Sequence, residues 1–171
     1  HALLTEDGAA GSDRMTFRVG LGIAAHRLGE GIPLMLGTVR VDHPSGLVGH
    51  SDGDVIAHAL ADALLSATGG PDIGAIFPSD DERFKGITGA SIIAVVLEMI
   101  TSEGWSVVNA HAVVVCERPR LSEYRARIEA TLTEQVGAPV TVHATTTDRM
   151  GFTGRGEGIA CQVVAMVHRD T

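Results

Sequence analysis

Strand-like runs alternate with helix-like runs through most of this chain, and that alternation constrains its fold more than any other feature. Residues 17–23 form a short β run, and residues 34–41 give further strand pieces around Gly37. Residues 54–67 read as a helix opened by Ser51, with Asp54 three positions on in a capping-box-like pattern, and stopped by Gly69-Gly70-Pro71. Residues 90–102 are apolar nearly all round, which predicts a heavily buried helix ended by Gly104. A Val- and Ala-rich strand follows over 105–116. Leu121, Tyr124, Ile128, Leu132 and Val136 then recur at helical spacing up to Gly137, and residues 139–143 and 159–168 supply the last strands. The pattern predicts an α/β (α+β layered) single domain, with a four-stranded sheet and helices on one face.

The core of such a domain has to be aliphatic. The chain has 171 residues, enough for one domain of ordinary size, and 44% are hydrophobic while only 4% are aromatic. A net charge of -8, from 13 basic and 21 acidic residues, opposes a nucleic-acid or anionic-membrane partner, since both call for a basic face. No apolar run reaches the roughly 18 residues of a bilayer span. Cys116 and Cys161 both sit in apolar strand-like runs and read as buried free thiols. They point to a reducing, cytoplasmic compartment (or a plastid, in a plastid-bearing source). Residues 1–16 show no apolar periodicity and read as a disordered tag or linker, leaving 17–171 as the domain.

Chemistry concentrates in four segments. In His50-Ser51-Asp52-Gly53-Asp54, with His58 and Asp62 following, the last two and Asp54 are spaced four apart and share a helix face. A histidine between two carboxylates suits a metal ligand with supporting partners, and equally a solvated polar face. His50 falls near the helix N-terminus, where unpaired N–H groups favour an anion. His26, placed after the first strand, reads as structural by itself and as half of a zinc site only beside His58. Residues 144–158 combine three consecutive threonines with four glycines and two arginines. These supply hydroxyls, close backbone approach and positive charge for a phosphate cradle, or else a mobile connection. Asp148 adds a hard oxygen ligand for magnesium. Asp72-Ile73-Gly74 and Phe77-Pro78-Ser79-Asp80-Asp81 are acidic turns in which Asp72 can accept from substrate hydroxyls. There is no P-loop, dinucleotide fingerprint or nucleophile elbow. With Lys85 as its one lysine, a phosphate-handling chain would have to neutralise its substrate with metal ions and backbone N–H groups.

Taken together, these segments resemble the 2-C-methyl-D-erythritol 2,4-cyclodiphosphate synthases of non-mevalonate isoprenoid biosynthesis, over residues 18–167. The resemblance is carried by Arg18-Val-Gly-Leu-Gly22, Gly49-His-Ser-Asp-Gly-Asp-Val55 with His58, Asp72-Ile-Gly74, and Ala144-Thr-Thr-Thr-Asp148 through Gly158. It implies a homotrimer with active sites at the subunit junctions, and a cyclising, CMP-releasing phosphorus–oxygen lyase. The implied substrate is 4-diphosphocytidyl-2-C-methyl-D-erythritol 2-phosphate. His26 and His58 match zinc ligands of the family, and His50 and Thr146 match its transition-state-stabilising pair. Ser51 and Asp72-Ile73-Gly74 match the methylerythritol pocket, with Phe77, Pro78, Ser79, Asp80 and Asp81 along its wall. Cys116, Glu117, Arg118, Pro119, Arg120, Leu121 and Ser122 match the cytidine segment. Thr145, Thr147, Phe152 and Arg155 match further nucleotide and phosphate contacts, and Asp148 stands at the magnesium position. Two departures stand out. Ala24 occupies the position of an aspartate that ligates zinc in the family, and Ser79 replaces the aspartate usual after Phe-Pro. Alanine cannot coordinate, so the resemblance implies weakened zinc and impaired turnover. The alternatives are a non-catalytic cytidine-nucleotide-binding trimer and, more distantly, a metal-dependent phosphohydrolase.

Overall fold

The computed structural model describes residues 15–170, so most of the expectation for 1–16 falls outside the described residues. Strand β1 (Met15–Glu30) begins at Met15, where that residue already pairs with Asp170. Gly20 and Gly22 lie on the face of β1 turned toward helix α1 (Val55–Thr68), and they decide how the layers meet. A Cβ at Gly22 would stand 1.9 Å from the Ala59 carbonyl oxygen, and one at Gly20 2.0 Å from that of Ala63. Only glycine lets backbone approach backbone this closely. The helix answers with its own small residues, Ala59, Ala63 and Ala67, all buried.

The hairpin β2 (Leu34–Leu36) and β3 (Val39–Val41) stands apart as a two-stranded sheet. Gly37 and Thr38 connect its strands with φ of 58° and 61°, as a two-residue type I′ turn requires. A β-branched residue at positive φ is strained. Both turn amides donate to the Asp54 carboxylate, at 2.9 Å and 2.6 Å, which fixes the turn against α1.

The main sheet adds β4 (Ser45–Leu47), β5 (Ser106–Val115), β6 (Val140–Thr145) and β7 (Gly158–Asp170) in the order β4-β1-β7-β5-β6. Its four long strands are those of the sequence reading, and the three-residue β4 adds a fifth at the β1 edge. Only β5 and β6 run parallel. Two single turns, α2 (Ile73–Ile76) and α5 (Gly151–Gly154), and two longer helices, α3 (Gly89–Ser102) and α4 (Arg125–Val136), complete the chain. Leu121–Glu123, expected as the first turn of α4, is a separate 3-10 turn. Helix α3 is buried along one side only, through Ile92, Ile93, Val96 and Ile100, while Val95 is exposed. The all-round burial expected of it is not realised, because α3 packs on α1 as an outer element.

The helices cover one face of the sheet. On the other face Phe17, Val19, Leu21, Ile23 and Val164 are each between 47% and 60% exposed. Among the described residues no helix is long and apolar enough to cross a membrane. If the two glycines set the layer spacing, Gly22→Ala should destabilise the fold by about 3 kcal/mol or more, since the obstacle is backbone that cannot swing aside. Urea unfolding followed by the single tryptophan, Trp105, which is buried against the Arg18 and Arg169 guanidinium groups, measures it directly. A loss below about 0.5 kcal/mol, the range of ordinary surface substitutions, would show that the layers can part.

Candidate functional site

Helix α1 starts at Asp54, which is its N-cap and is fully buried. The carboxylate accepts from the Ile56 and Ala57 amides as well as from those of Gly37 and Thr38. Burial pushes the Asp54 carboxyl above the ordinary carboxylate range, against the pull of the amides of Thr38, Ala57 and Gly37. Asp54, not Ser51, is therefore the cap. Its spacing from His58 predicts a carboxylate turned to solvent or to a site, and it faces neither, because four amides claim its oxygens. Asp62 likewise accepts from the Ile73 amide at 2.9 Å, tying α2 to α1. Neither carboxylate attends His58.

With the cap supplied elsewhere, the Ser51 hydroxyl lies 3.1 Å from His58 Nε2. The other ring nitrogen, Nδ1, lies 3.0 Å from His26 Nε2, with the two rings meeting edge to face. His26 sits inside β1 and not beyond its end, because pairing with β7 and then β4 extends the strand to Glu30. Burial disfavours the charged form of both imidazoles. Burial first and the neighbouring His26 second bring His58 down to about 4, and burial lowers His26 as well.

His26, His50, Ser51 and His58 share a cavity of about 170 Å³ with Ile73, Phe77 and Ser79. Phe84, Ile87 and Ile92 complete its apolar wall. The sequence reading had not singled these three out, although Phe84 stacks edge to face on Phe77 at 5.2 Å. Their signal was an apolar residue on either side of the turn that leads into α3. His50 Nε2 is 3.3 Å from the Asp81 carbonyl oxygen. The Asp81 side chain turns outward to pair with Arg83, which holds its carboxyl low. Asp72 caps α2 through Ala75 and lines a separate cavity with Gly22 and Asp62. Gly74, Pro78 and Asp80 belong to the same loop without lining the imidazole cavity.

A second group forms for a topological reason. β5 and β6 are adjacent and parallel, so the loops leaving their C-terminal ends meet. Cys116, Glu117, Pro119, Arg120, Leu121 and Ser122 line a cavity of about 220 Å³ together with Thr145 and Thr146, while Arg118 stays outside it. Burial and then Glu117 push the Cys116 thiol up to about 11, so it is an inert wall residue. The Thr147 hydroxyl donates to the Met150 carbonyl at 2.6 Å and meets Thr153, and is thereby used in holding the loop. Asp148 is exposed, at a φ of 52°. Arg155 pairs with Glu157, and Phe152 lines a further cavity of about 310 Å³ with Ala25, His26 and Arg27.

His50 and Thr146 are not brought together within one chain. Ala25, Ala160, Val115 and Thr145 lie in one row across β1, β7, β5 and β6. At about 4.8 Å per strand spacing, the row places Thr145 roughly 14 Å from Ala25, the neighbour of His26. The two cavities thus lie toward the same end of the sheet, their strands three positions apart.

The imidazole pair is two donors and no more. Ala24 lies two residues before His26 on the same strand face, packs against the core and offers nothing to a metal. Among the described residues no group of three or more His, Cys, Asp or Glu side chains is placed to hold a metal ion. A catalytic zinc takes three protein ligands, so the residues present do not complete such a site.

A family model described as the YgbB family matches residues 17–168. The chain is also 50% identical over 153 residues to the 2-C-methyl-D-erythritol 2,4-cyclodiphosphate synthase of Cutibacterium acnes, covering 89% of this chain and 91% of that protein. This chain belongs to the YgbB family. A second cyclodiphosphate synthase, from Rubrobacter xylanophilus, is 47% identical over 90% of this chain and 96% of its own length. A solved cyclodiphosphate synthase bound to CDP superposes with a TM-score of 0.81 at 31% identity, covering 88% of this chain and 99% of its own. The bifunctional IspDF of Campylobacter jejuni superposes with a TM-score of 0.88 at 31% identity, and this chain spans 43% of it while 91% of this chain is matched.

The buried imidazoles set a pH dependence that this YgbB chain should display when stripped of metal. The folded His58 titrates near 4 against an ordinary 6.5, so the unfolded chain binds the proton first as pH falls. Stability is complete above about pH 6.5 and drains away between there and about pH 4. The loss is at most about 3–4 kcal/mol, at roughly 1.4 kcal/mol per pKa unit. Urea midpoints measured across that window should fall, and His58→Gln should flatten the dependence. An unchanged slope in the variant would contradict the assignment.

Proposed function

We propose that this chain cyclises 4-diphosphocytidyl-2-C-methyl-D-erythritol 2-phosphate to 2-C-methyl-D-erythritol 2,4-cyclodiphosphate with release of CMP, in isoprenoid biosynthesis in the cytoplasm. The observation that carries the reading is an imidazole-lined cavity and a threonine-lined cavity at the same end of one sheet, in a chain of this family. An oxygen of the 2-phosphate attacks the β-phosphorus, the bond from that phosphorus to the CMP oxygen breaks, and CMP leaves with the electron pair. Such a transfer asks the protein mainly for position and charge stabilisation.

Each cavity suits one end of the substrate. The Cys116–Ser122 loop with Thr145 and Thr146 supplies backbone groups and hydroxyls for the cytidine and its phosphates, and the solved relative described as bound to CDP supports a cytidine nucleotide as ligand. Ile73, Phe77 and Ser51 offer the mixed apolar and hydroxyl wall that a branched polyol needs. His50 and Thr146 each hold a proton at a nitrogen or oxygen that can be turned toward the reacting phosphates. Because the strand row puts roughly 14 Å between Ala25, the neighbour of His26, and Thr145, more than a diphosphate spans, the reading assembles the site from neighbouring copies. The bare apolar face of Phe17, Val19, Leu21 and Ile23 supports a homotrimer joined through it.

A divalent cation at Asp148, entering with the diphosphate, would neutralise phosphate charge. Zinc has only His26 and His58, and Ala24 leaves that pair short. This supports impaired turnover, and it favours one rival, a trimer that binds cytidine nucleotides without reacting them.

Phosphorus NMR of the protein with substrate, zinc and magnesium separates these. The expected result is slow appearance of CMP with cyclic diphosphate, and a faster rate in Ala24→Asp with zinc retained about tenfold or more tightly against a chelator. Linear phosphate products would replace the proposal with hydrolysis. Unchanged substrate in both proteins, with CDP still bound, would leave the binding module.

A further inference from the structure

A cavity of about 420 Å³ lies away from both groups described above, between the β2–β3 hairpin and the start of α4. Arg40 and His43 reach it from the hairpin and the loop after it, and Arg127 and Tyr124 from the helical side. None of these residues lines either proposed substrate cavity.

The charge there is out of keeping with the chain. In a protein of net charge -8, two guanidinium groups converge on one cavity, and neither has an ion-pair partner among the described residues. Asp42 is the one carboxylate in the lining, so the cavity stays cationic. The Tyr124 phenol oxygen accepts from the Asp42 amide at 3.2 Å, which leaves its own O–H to donate. His43 uses Nδ1 on the backbone of Ser45, which leaves Nε2 to face a ligand. Pro33, Leu34 and Val41 give the cavity an apolar side. Planar guanidinium forks beside a phenol donor are the chemistry that recognises phosphate oxygens in two-point contacts.

We propose that this cavity binds a small diphosphate-bearing anion at Arg40, Arg127 and Tyr124, separately from the substrate. The assignment stands on these residues alone and does not depend on the catalytic reading.

Tyr124 is the chain's only tyrosine, which gives the test a reporter confined to this cavity. The whole chain is produced with 3-fluorotyrosine and titrated with inorganic pyrophosphate at constant ionic strength, following the fluorine resonance. The expected result is a saturable shift that persists in His50→Ala. Arg40→Gln and Arg127→Gln should each weaken it by about tenfold, as loss of a charge-assisted contact does. Retained Trp105 fluorescence confirms that the variants are folded. A shift that never saturates, or one that survives in the double arginine variant, overturns the proposal. So does a shift abolished by His50→Ala, which would place the anion in the imidazole cavity.

Discussion

The contact between β1 and α1 is the constraint from which the rest of the structure follows. Two glycines on the strand and a column of alanines on the helix bring the backbones together, with Ala59 and Ala63 carbonyls where side chains would otherwise stand. That closeness lets His26, four residues after Gly22 on the same strand face, reach His58, one residue before Ala59, at 3.0 Å. A strand held one side chain further away would leave the two imidazoles apart. The site is thus a by-product of how the layers are spaced, and the glycines are as much part of it as the histidines.

Asp54 plays the same part at the next level. One buried carboxylate ends the loop that carries His50 and Ser51, starts α1 and pins the strained Gly37–Thr38 turn. Removing a carboxylate that four amides share leaves buried donors unpaired, a cost several surface contacts would not offset. Asp52 extends the arrangement by accepting from the Asp54 and Gly89 amides, so the loop is also fastened to the start of α3. What looks in the sequence like a ligand cluster is largely a clamp, and it frees Ser51 to meet His58.

That exchange of roles shows what the sequence could reveal. Strand and helix order was legible because each element carries its own apolar period, as in the Leu121 to Val136 series. The threonine loop was legible as a motif and the Cys116–Ser122 segment only through the family resemblance, and their meeting follows from a parallel β5–β6 pair that local spacing does not reveal. The spacing of Asp54, His58 and Asp62 was misleading for a definite reason. Helical periodicity says which residues share a face, not which backbone amides will claim their oxygens. The apolar wall of Phe84, Ile87 and Ile92 was missed because its members come from a turn and a helix start with no common period. Ala24 was legible only through the family resemblance, because the strand read from the sequence ends at residue 23, and it is the longer β1 that places Ala24 beside His26.

In the proposed reaction one catalytic site draws its imidazole cavity from one copy and its threonine cavity from the next. Mixing two inactive variants, His50→Ala and Thr146→Ala, tests it most directly. Unmixed, each has every site broken. Refolded together in equal amounts and assayed for CMP release, they should regain about a quarter of the parent activity, because random assembly of a ring pairs one intact half with the other that often. Activity that stays at the level of the separate variants, with mixed oligomers verified by mass, would mean that both halves come from one chain and would rule out a shared site.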